Sequence, residues 1–321
     1  MDIVCLGEVL IDMFPAETSR RLVEVSTFRP VPGGAPANAA VAAARLGAQS
    51  GFIGKVGEDL FGHMLAEVLK GEGVDTRAVR FDPQARTTLV FIAKPDENTN
   101  EYIFYRNPGA DLLLSVEDLD RDLLQSTKCL HFGSLSLTGE PIRGASREAV
   151  RLAKSGGALV SFDVNYRPSL WPGGEEAVRQ VEAILPEVDL VKLNETELVL
   201  LTGSEELEAG ARSLMDHGPS LCVITLGSKG SYFQSRTGGR FVPPFQVKTV
   251  DSTGCGDAFI AGLLIQLVRS GAQLDKLSPS DLESALRYAN AVGALTAQTL
   301  GVIPALPTAA QVDDFLQRQQ F

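Results

Sequence analysis

The sequence is poor in cysteine, in long apolar runs and in positive charge, and each shortage excludes a class of protein. Its 321 residues include four cysteines, Cys5, Cys129, Cys222 and Cys255, whose wide scatter fits neither a zinc site nor a disulfide framework. The apolar runs fall far short of the roughly 20 residues that a membrane-spanning helix needs. The 29 basic residues stand against 40 acidic ones, and a net charge of −11 argues against nonspecific nucleic-acid binding.

The remaining composition is that of a globular protein. Apolar residues make up 44% of the chain and charged residues 21%. The length allows one large domain with an appendage, or two ordinary domains. The chain opens with Met1-Asp2 and has no basic segment before its first strand, and scattered cysteines fit a reducing compartment. We therefore expect a cytoplasmic protein with no membrane or nucleic-acid partner.

Strand-like and helix-like segments alternate along most of the chain. The apolar runs typical of buried strands are 3–6, 51–53, 129–132, 158–164, 190–193 and 221–225. The segments with helical character are 37–46, 61–70, 143–153, 175–184 and 206–216. This alternation predicts an α/β core with a mostly parallel sheet, with helices on both faces and ligands beyond the carboxyl ends of its strands.

Two segments break the alternation. Residues Arg21 to Pro30 favour a strand, and Thr87 to Tyr105 favour a hairpin around Pro95-Asp96-Glu97-Asn98. We expect both to pair into a small sheet that covers the active site as a lid and excludes water, the alternative being a surface hairpin without a role. The predicted lid is 13–32 and 86–110, and the predicted core is 1–12, 33–85 and 111–321. Such a lid sheet is either solitary or pairs with that of a second subunit to form a homodimer.

The segment Asp251-Ser252-Thr253-Gly254-Cys255-Gly256-Asp257-Ala258-Phe259 carries the strongest chemical signal. Phe245 to Val250 alternates as a strand does and helical spacing follows the segment, so Gly254 and Gly256 are predicted where strand becomes helix. Backbone N–H groups in the first turn of a helix bind anions. Asp257 beside them is placed as a base, which indicates phosphoryl transfer from a nucleotide to a hydroxyl. The alternative is an ordinary glycine-rich helix start.

A second group of residues suggests a sugar pocket. Asp12 is predicted at the end of the first strand, near the carboxyl edge of the sheet, where a carboxylate can accept two hydroxyls. Gly33 and Gly34 precede an Ala-rich helix and allow close backbone approach, and Asn38 in its first turn offers both a donor and an acceptor. Separately these residues are a cap and a turn, but together they describe a polyol pocket.

The residues that handle phosphate must differ from those of a Walker-type ATPase, because the chain has no G-x-x-x-x-G-K-[ST] segment. Lys192, Asn194 and Glu197 lie where a strand ends and a helix begins. Asn194 either caps that helix or, with Glu197, holds water around a magnesium ion. Thr225 to Gly230 follows another strand, and it is either a hairpin turn or a glycine-rich loop against a nucleotide.

These motifs resemble the two signatures of the ribokinase-like, phosphofructokinase B type carbohydrate kinases. The first signature is Gly33-Gly34-Ala35-Pro36-Ala37-Asn38 through Arg45-Leu46-Gly47, the second is the 251–259 segment, and the resemblance runs nearly end to end. It implies a three-layer α/β/α core with a mostly parallel sheet plus a small β-sheet lid. The segments most like those of the family's fructokinases are 7–12, 54–59, 104–111, 131–137, 170–172 and 301–307. They imply phosphoryl transfer from ATP to D-fructose, giving fructose 6-phosphate.

The resemblance also implies a role for each matching residue. Asp257 becomes the catalytic base, and Gly254, Cys255 and Gly256 supply the anion hole. The ordinary pKa of an Asp is near 3.9, and the helix dipole is expected to lower it further. The implied sugar contacts are Asp12, Gly33, Gly34, Asn38, Arg106, Arg167 and Asp257. The implied nucleotide contacts are Asn165, Lys192, Asn194, Thr225, Gly227, Gly230, Gly254, Gly256 and Asn290.

Two cations follow from the same resemblance. Mg²⁺ would accompany ATP, with Glu197 as its candidate residue. The site of a monovalent cation, typically K⁺, would be formed around Asp251, Thr253, Thr296, Thr299 and Gly301. The chain departs from the family at two positions. Ala305 replaces a serine of some relatives, which leaves a K⁺ requirement open, and Cys255 stands where alanine is commoner.

Two other kinds of function remain open at this point. A 2-keto-3-deoxygluconate kinase, or another ribokinase-like sugar kinase, would share the fold and the Asp base. In the former, Arg106 or Arg167 would bind the carboxylate of the sugar acid. A noncatalytic fructokinase-like scaffold protein would bind sugar or partner proteins instead. Against that reading, Asp257 and the two glycines before it are intact.

Overall fold

The computed structural model describes residues 1–17, 20–93, 95–96, 101–271 and 273–319. The strands in these ranges are β1 (Ile3–Leu6), β2 (Leu10–Pro15), β3 (Phe28–Gly33), β4 (Ser50–Gly57), β5 (Asp75–Asp82), β6 (Leu89–Ala93), β7 (Glu101–Tyr105), β8 (Cys129–Gly133), β9 (Leu159–Asp163), β10 (Leu190–Asn194), β11 (Leu221–Thr225), β12 (Ser231–Ser235) and β13 (Gly238–Val242). The α-helices are α1 (Ala35–Arg45), α2 (Leu60–Gly71), α3 (Arg121–Ser126), α4 (Ile142–Ser155), α5 (Gly174–Ile184), α6 (Glu195–Thr202), α7 (Leu207–Met215), α8 (Cys255–Ser270), α9 (Pro279–Thr296) and α10 (Ala309–Arg318).

In the described part of the chain, nine strands form one sheet in the order β13-β12-β11-β10-β9-β8-β1-β4-β5. The seven strands from β11 to β5 are parallel, and β12 and β13 extend one edge in antiparallel pairing. The prediction of a mostly parallel sheet is therefore confirmed. The edge strands β5 and β13, and β12 beside β13, were not predicted, because none of them has the continuous apolar run that marks a strand buried on both faces.

Strand β1 shows why helices cover both faces of this sheet. Successive side chains of a strand point to opposite faces, and all four residues of β1 are buried. Ile3 and Cys5 belong to a core with α1, α8 and α9, whereas Val4 and Leu6 belong to a second core with α4, α5 and α7. The result is the three-layer α/β/α arrangement expected. No helix among the described residues is long and apolar enough to cross a membrane.

A second, four-stranded sheet has the order β3-β2-β6-β7. Its strands differ from the prediction in two places. Arg21 to Pro30 is not one strand: the N–H groups of Arg21 and Leu22 donate to the carboxylates of Glu24 and Glu101, and a short 3₁₀ turn precedes β3. The turn residues Glu97 and Asn98 lie outside the described residues. The division of the chain into core and lid remains a prediction.

Asp12 lies in this second sheet, so its placement at the end of the first strand was wrong. The first strand ends at Leu6, and Gly7 with φ 146° separates it from β2. Asp12 is in the middle of β2, where it pairs with Val31 of β3 and Val90 of β6.

The prediction of a strand over Phe245 to Val250 was also wrong. This segment is irregular and follows β13 without pairing to a described strand. Its first residue packs on a helix instead. The ring of Phe245 packs edge-on against Phe315 of α10, with centroids 5.1 Å apart, and the guanidinium of Arg287 lies 4.8 Å from the Phe245 ring centre.

A buried ion pair joins the second sheet to the core. Arg106, directly after β7, donates to Asp111 through Nε at 2.7 Å, and the two side chains are only 3% and 1% exposed. The other Arg106 donors bind the hydroxyl of Thr138 and the carbonyl of Leu135. Asp111 also accepts the hydroxyl of Thr88, which directly precedes β6. We call these five residues the lid anchor, because they hold the bases of β6 and β7 against the core.

Removal of one member of the lid anchor should destabilise the fold. In Arg106→Met the Asp111 carboxylate loses its cation in a dry site, and we expect a loss of about 3 kcal/mol or more in the free energy of unfolding, measured by urea denaturation. The matched control is Arg240→Met, which breaks the half-exposed pair with Glu283 and should change stability by less than about 1 kcal/mol. Equal losses in the two variants would contradict this role of the anchor.

Candidate active site

Two adjoining cavities lie beyond the carboxyl ends of the parallel strands. They lie near the point where the strand order reverses, with β1 between β4 and β8, which is where open α/β sheets bind ligands. The smaller cavity has a volume of about 240 Å³ and the larger of about 720 Å³. Ser252 and Gly256 line both cavities. The start of α8 is therefore the wall between them.

The smaller cavity has a polar side, formed by the core together with Asp12 of β2, and an apolar side, formed mainly by the second sheet. The predicted site residues that line it are Asp12, Gly34, Asn38, Asn165, Arg167, Lys192, Thr253, Gly254, Gly256 and Asp257. The apolar side was not predicted, and it consists of Leu10, Val90, Ile92, Tyr102 and Phe104 together with Leu135. The strand pattern of β6 and β7 carried this information, because residues at alternate positions share a face.

The Asp12 carboxylate occupies the space that a side chain at position 33 would fill. A Cβ built at Gly33, which pairs across β3 and β2, would overlap this carboxylate, so glycine is required there although Gly33 itself does not line the cavity. Burial, and after it the negative charge of Asp257, raise the pKa of Asp12 to about 7 against the opposing charge of Arg167. Asp12 and Asp257 therefore face the same small space, as a polyol pocket requires.

Asp257 is held by Asn38. Nδ2 of Asn38, in the first turn of α1, donates to Oδ2 of Asp257 at 2.8 Å. We expected the helix dipole to lower the pKa of Asp257, and that expectation was wrong. Burial raises the pKa to about 6, and the hydrogen bond from Asn38 opposes this only in part. An aspartate with such a pKa is a better base at neutral pH than an exposed one.

Helix α8 begins without a cap from the side chain of the preceding residue, because that residue is Gly254. Gly254 precedes it with φ 78°, in the left-handed region, and a Cβ there would overlap Val302. Of the three residues predicted to form an anion hole, Cys255 donates its N–H to the carbonyl of Ser252 at 3.3 Å. The backbone of Gly256 borders both cavities and is the candidate donor for an anion between them.

A buried lysine adds positive charge at the same place. Nζ of Lys192, in the middle of β10, is 2.8 Å from Oδ2 of Asp163, at the end of β9. Burial alone would lower the pKa of Lys192, but Asp163 and Glu197 outweigh it and the pKa is raised. A Cβ on Gly256 would lie 3.1 Å from this ammonium. Glycine at position 256 thus lets a permanent cation approach the start of α8. Asp163 was not predicted, although it ends the strand next to that of Lys192.

The larger cavity contains most of the residues predicted for a nucleotide. Those that line it are Asn194, Thr225, Gly227, Gly230, Gly256 and Asn290, and Cys255, predicted for the anion hole, lines it as well. Residues 226–230 connect β11 to β12, so this segment is both a hairpin loop and a cavity wall. The amide of Asn290 donates to the carbonyls of Val242 and Pro243, which fixes the chain after β13 against α9. Phe245, in the segment wrongly predicted as a strand, lines the same cavity.

Glu197 and Asn194 form a capping box at the start of α6. The Asn194 side chain accepts the N–H of Glu197 at 2.9 Å, and Glu197 Oε2 accepts the N–H of Asn194 at 2.8 Å. Oε1 of Glu197 accepts the N–H of Tyr166 at 2.7 Å. Both carboxylate oxygens are thus engaged by backbone donors, so Glu197 does not suit direct metal ligation. No group of three or more His, Cys, Asp or Glu side chains that could hold a metal ion occurs in the ranges described.

The residues of the predicted monovalent-cation site lie in two segments that contact each other, one just before α8 and the other at the end of α9 and the start of the loop that follows it. Asp251 accepts the N–H and hydroxyl of Thr253 through Oδ1 and the N–H of Gly301 through Oδ2. The N–H of Asp251 donates to the carbonyl of Ala297, next to Thr296, and the N–H of Thr299 donates to the carbonyl of Thr296. The segments 251–253 and 296–301 are therefore one structural unit.

The two predicted arginines occupy different environments. Arg167 lines the smaller cavity, whereas Arg106 does not and is held in the lid anchor. Sequence alone could not separate them, because the partners of Arg106 become neighbours only through the fold. Asn165, predicted as a nucleotide contact, lines the smaller cavity with φ 34°, a value uncommon for a residue with a side chain.

The chain belongs to the pfkB family of carbohydrate kinases, since the model of that family matches residues 1–309. A curated relative, fructokinase-2 of Solanum lycopersicum, is 44% identical over 310 residues, covering 96% of this chain and 94% of the relative.

Two solved fructokinase structures have the same fold throughout. The fructokinase of Xylella fastidiosa with bound ATP has a TM-score of 0.91 and 35% identity, over 100% of this chain and 99% of that one. The fructokinase of Vibrio cholerae O395, with fructose, ADP and calcium ion bound, has a TM-score of 0.86 and 34% identity, over 98% of both chains. The protein is therefore a kinase by family, in agreement with the geometry of its two cavities.

Substitutions at two adjacent residues at the start of α8 should differ in their effect on kcat. Gly256→Ala places a methyl group against the Lys192 ammonium and between the cavities, and we expect kcat to fall at least tenfold in a coupled ADP-release assay. Cys255→Ala keeps the backbone and removes only a side chain, so its kcat should stay within about twofold of wild type. Thermal unfolding serves as the control for folding. A Gly256→Ala enzyme of normal activity would show that this close approach has no function.

Proposed function

We propose that this chain is an ATP-dependent fructokinase, which transfers the γ-phosphoryl group of ATP to the primary hydroxyl of D-fructose and gives fructose 6-phosphate. The observation that carries the proposal is the shared wall of the two cavities. Ser252 and Gly256 border both, with Asp257 on the smaller side. A sugar in the smaller cavity and a nucleotide in the larger one meet at the start of α8. The fructokinases that match this chain over nearly its full length support the choice of sugar.

Asp257 acts as the base in this reaction. The sugar oxygen forms a bond to the γ-phosphorus while the bond between that phosphorus and the bridging oxygen of ADP breaks, and the hydroxyl proton passes to the Asp257 carboxylate. In a loose transition state deprotonation comes late, so the main task of the base is to orient the hydroxyl. Asn38 fixes the carboxylate for this task through its 2.8 Å hydrogen bond.

The start of α8 and Lys192 stabilise the transferred group. The helix dipole and the first-turn N–H groups favour negative charge at Gly256. The Lys192 ammonium adds a full positive charge there, and its raised pKa keeps it protonated. Asp163 holds it in place. Charge stabilisation of this kind supplies much of the catalysis of phosphoryl transfer.

Two cations belong to the proposal. Mg²⁺ would enter with ATP and neutralise phosphate charge, and it would be held mainly by the phosphates and water because the Glu197 oxygens are engaged. The unit formed by 251–253 and 296–301 would hold K⁺ through backbone carbonyls and would steady the turn before α8. A homodimer formed through the lid sheet and a cytoplasmic location remain predictions.

The environment of the arginines favours a neutral sugar over a sugar acid. A carboxylate ligand needs a cation with free donors, and the Arg106 donors are engaged by Asp111, Thr138 and Leu135. Arg167 alone of this pair lines the cavity, where it faces the acidic groups of Asp12 and Asp257. This arrangement disfavours 2-keto-3-deoxygluconate.

A substrate panel tests the proposed function. Purified protein with Mg-ATP is assayed by ADP release on D-fructose, D-ribose, adenosine and 2-keto-3-deoxygluconate, and we expect the highest kcat/KM with fructose. Asp257→Asn is the matched control: it keeps shape and removes the base, so kcat should fall by at least about 10³-fold while ATP binding, followed by calorimetry, is retained. Turnover of the sugar acid in preference to fructose would overturn the substrate, and absence of turnover on every sugar would favour a scaffold protein.

The pH profile should identify the base. Asp257 must be ionised to accept a proton, so kcat/KM for fructose is expected to fall below a pH of about 6, where burial places the pKa of this group, and to level off above it. Burial raises that pKa and the positive charge of Arg167 lowers it, so Arg167→Met should move the acid limb to higher pH. Arg179→Met, which alters an exposed pair on α5, is the control and should leave the limb in place. A limb unmoved by Arg167→Met would argue against Asp257 as its origin.

A further inference from the structure

The smaller cavity contains one acidic residue that has no assigned task. Glu8 lies between β1 and β2 and lines this cavity, but it is 3% exposed. Its segment was singled out only for its likeness to the fructokinases. Buried carboxylates are rare and are usually paired with a cation. No ion pair to Glu8 occurs among the described residues.

One oxygen of this carboxylate is engaged by the protein. Oε1 accepts the N–H of Ala35, the first residue of α1, at 3.1 Å. The residue before that helix is Gly34, which has no side chain to cap it. A Cβ on Gly34 would lie 2.5 Å from the carbonyl oxygen of Glu8, so glycine is needed for this approach. Glu8 thus caps α1 from outside the helix, one turn before Asn38.

The other oxygen is not engaged. Oε2 of Glu8 is buried and has no hydrogen-bond partner in the parts of the chain described. A buried acceptor without a donor costs about 1–3 kcal/mol, so such an atom needs a reason. Burial raises the pKa of Glu8 to about 7, although its own backbone N–H and, after it, the charge of Arg106 oppose this. Asn38 Oδ1, on the same cavity, is also without a partner, which suggests that donors arrive from outside the protein.

We propose that Glu8 is a further substrate-binding residue, with Oε1 holding the start of α1 and Oε2 receiving a hydroxyl of the hexose other than the one that is phosphorylated. This inference rests on the proposed sugar kinase function. A hydroxyl is the simplest donor that fits, because the cavity already presents acceptors at Asp12, Asn38 and Asp257. Glu8 would then connect sugar binding to the helix that positions Asn38.

Glu8→Gln tests this assignment, because Gln keeps an acceptor for the N–H of Ala35 and changes the group offered to the sugar. We expect KM for D-fructose to rise by about 10- to 100-fold with kcat changed less than threefold, as for the loss of a charged hydrogen bond. Repeating the comparison with 1-deoxy-, 3-deoxy- and 4-deoxy-D-fructose and with 2,5-anhydro-D-mannitol locates the contact. With the one analogue that lacks the bound hydroxyl, wild type and variant should become equal within about threefold.

The matched control is Asp59→Asn. Asp59 likewise caps a helix, α2, but its oxygens accept from Gly62 and Thr87 and it lies away from the cavity. The Asp59→Asn variant should lower the free energy of unfolding without changing the KM values of the analogues relative to that of D-fructose. Glu8→Asp, a shorter carboxylate, is the second variant if Glu8→Gln does not fold, and its KM for fructose should also rise.

A loss that is equal for fructose and every analogue, or no loss, would overturn the proposal and leave Glu8 as a helix cap. Calorimetric titration of D-fructose in the absence of nucleotide separates this from the proposed function. If wild type binds fructose more tightly than Glu8→Gln but does not phosphorylate it, Glu8 keeps its role and the kinase assignment fails. If wild type neither binds nor phosphorylates fructose, both are overturned.

Discussion

The start of helix α8 is the constraint on which the rest of the site depends. Gly254 takes a left-handed conformation against Val302, and the next residues turn at once into a helix that is buried along most of its length. This abrupt turn leaves donors exposed to two cavities and places Asp257 one residue beyond them. The segment that contains Val302 also donates from Gly301 to Asp251, so the chain on both sides of the turn is fixed by the same contacts.

Much of this arrangement could be predicted from the sequence because glycine and acid spacing records local geometry. The turn at 254–256 follows from such spacing and the mostly parallel sheet from the alternation of strands and helices, whereas only the resemblance to the carbohydrate kinases placed Asn38 and Asp257 in one site. Where the prediction failed, the cause was nonlocal. Phe245 packs on α10 instead of in a strand, and Arg106 is engaged because Asp111 and Thr138 come to it through the fold. The pKa of Asp257 is raised rather than lowered because burial outweighs the helix dipole, and the burial of this residue is not visible in the sequence.

The electrostatics of the site follow from this burial. Three acidic residues, Glu8, Asp12 and Asp257, border a cavity of about 240 Å³, and burial raises the pKa of each. The cation beneath them, Lys192, is held by Asp163 rather than by any of the three. The acids therefore remain available to hydroxyl donors and share their cavity with Arg167, while the Lys192 charge lies at the start of α8. The residues that bind hydroxyl groups and the residues that stabilise phosphate charge thus lie at different places along one surface.

The lid anchor limits how the second sheet could move over the smaller cavity. Thr88 and Arg106 stand at the two ends of the β6–β7 hairpin, and both bind the carboxylate of Asp111. A hairpin fixed at one point on both strands cannot peel apart strand by strand. If the second sheet moves, the two strands would tilt together with β2, to which β6 is paired, and Val90, Ile92, Tyr102 and Phe104 would approach or leave a bound sugar as a single surface. Water would then enter or leave the smaller cavity in one cooperative step, because both strands turn about the buried carboxylate of Asp111.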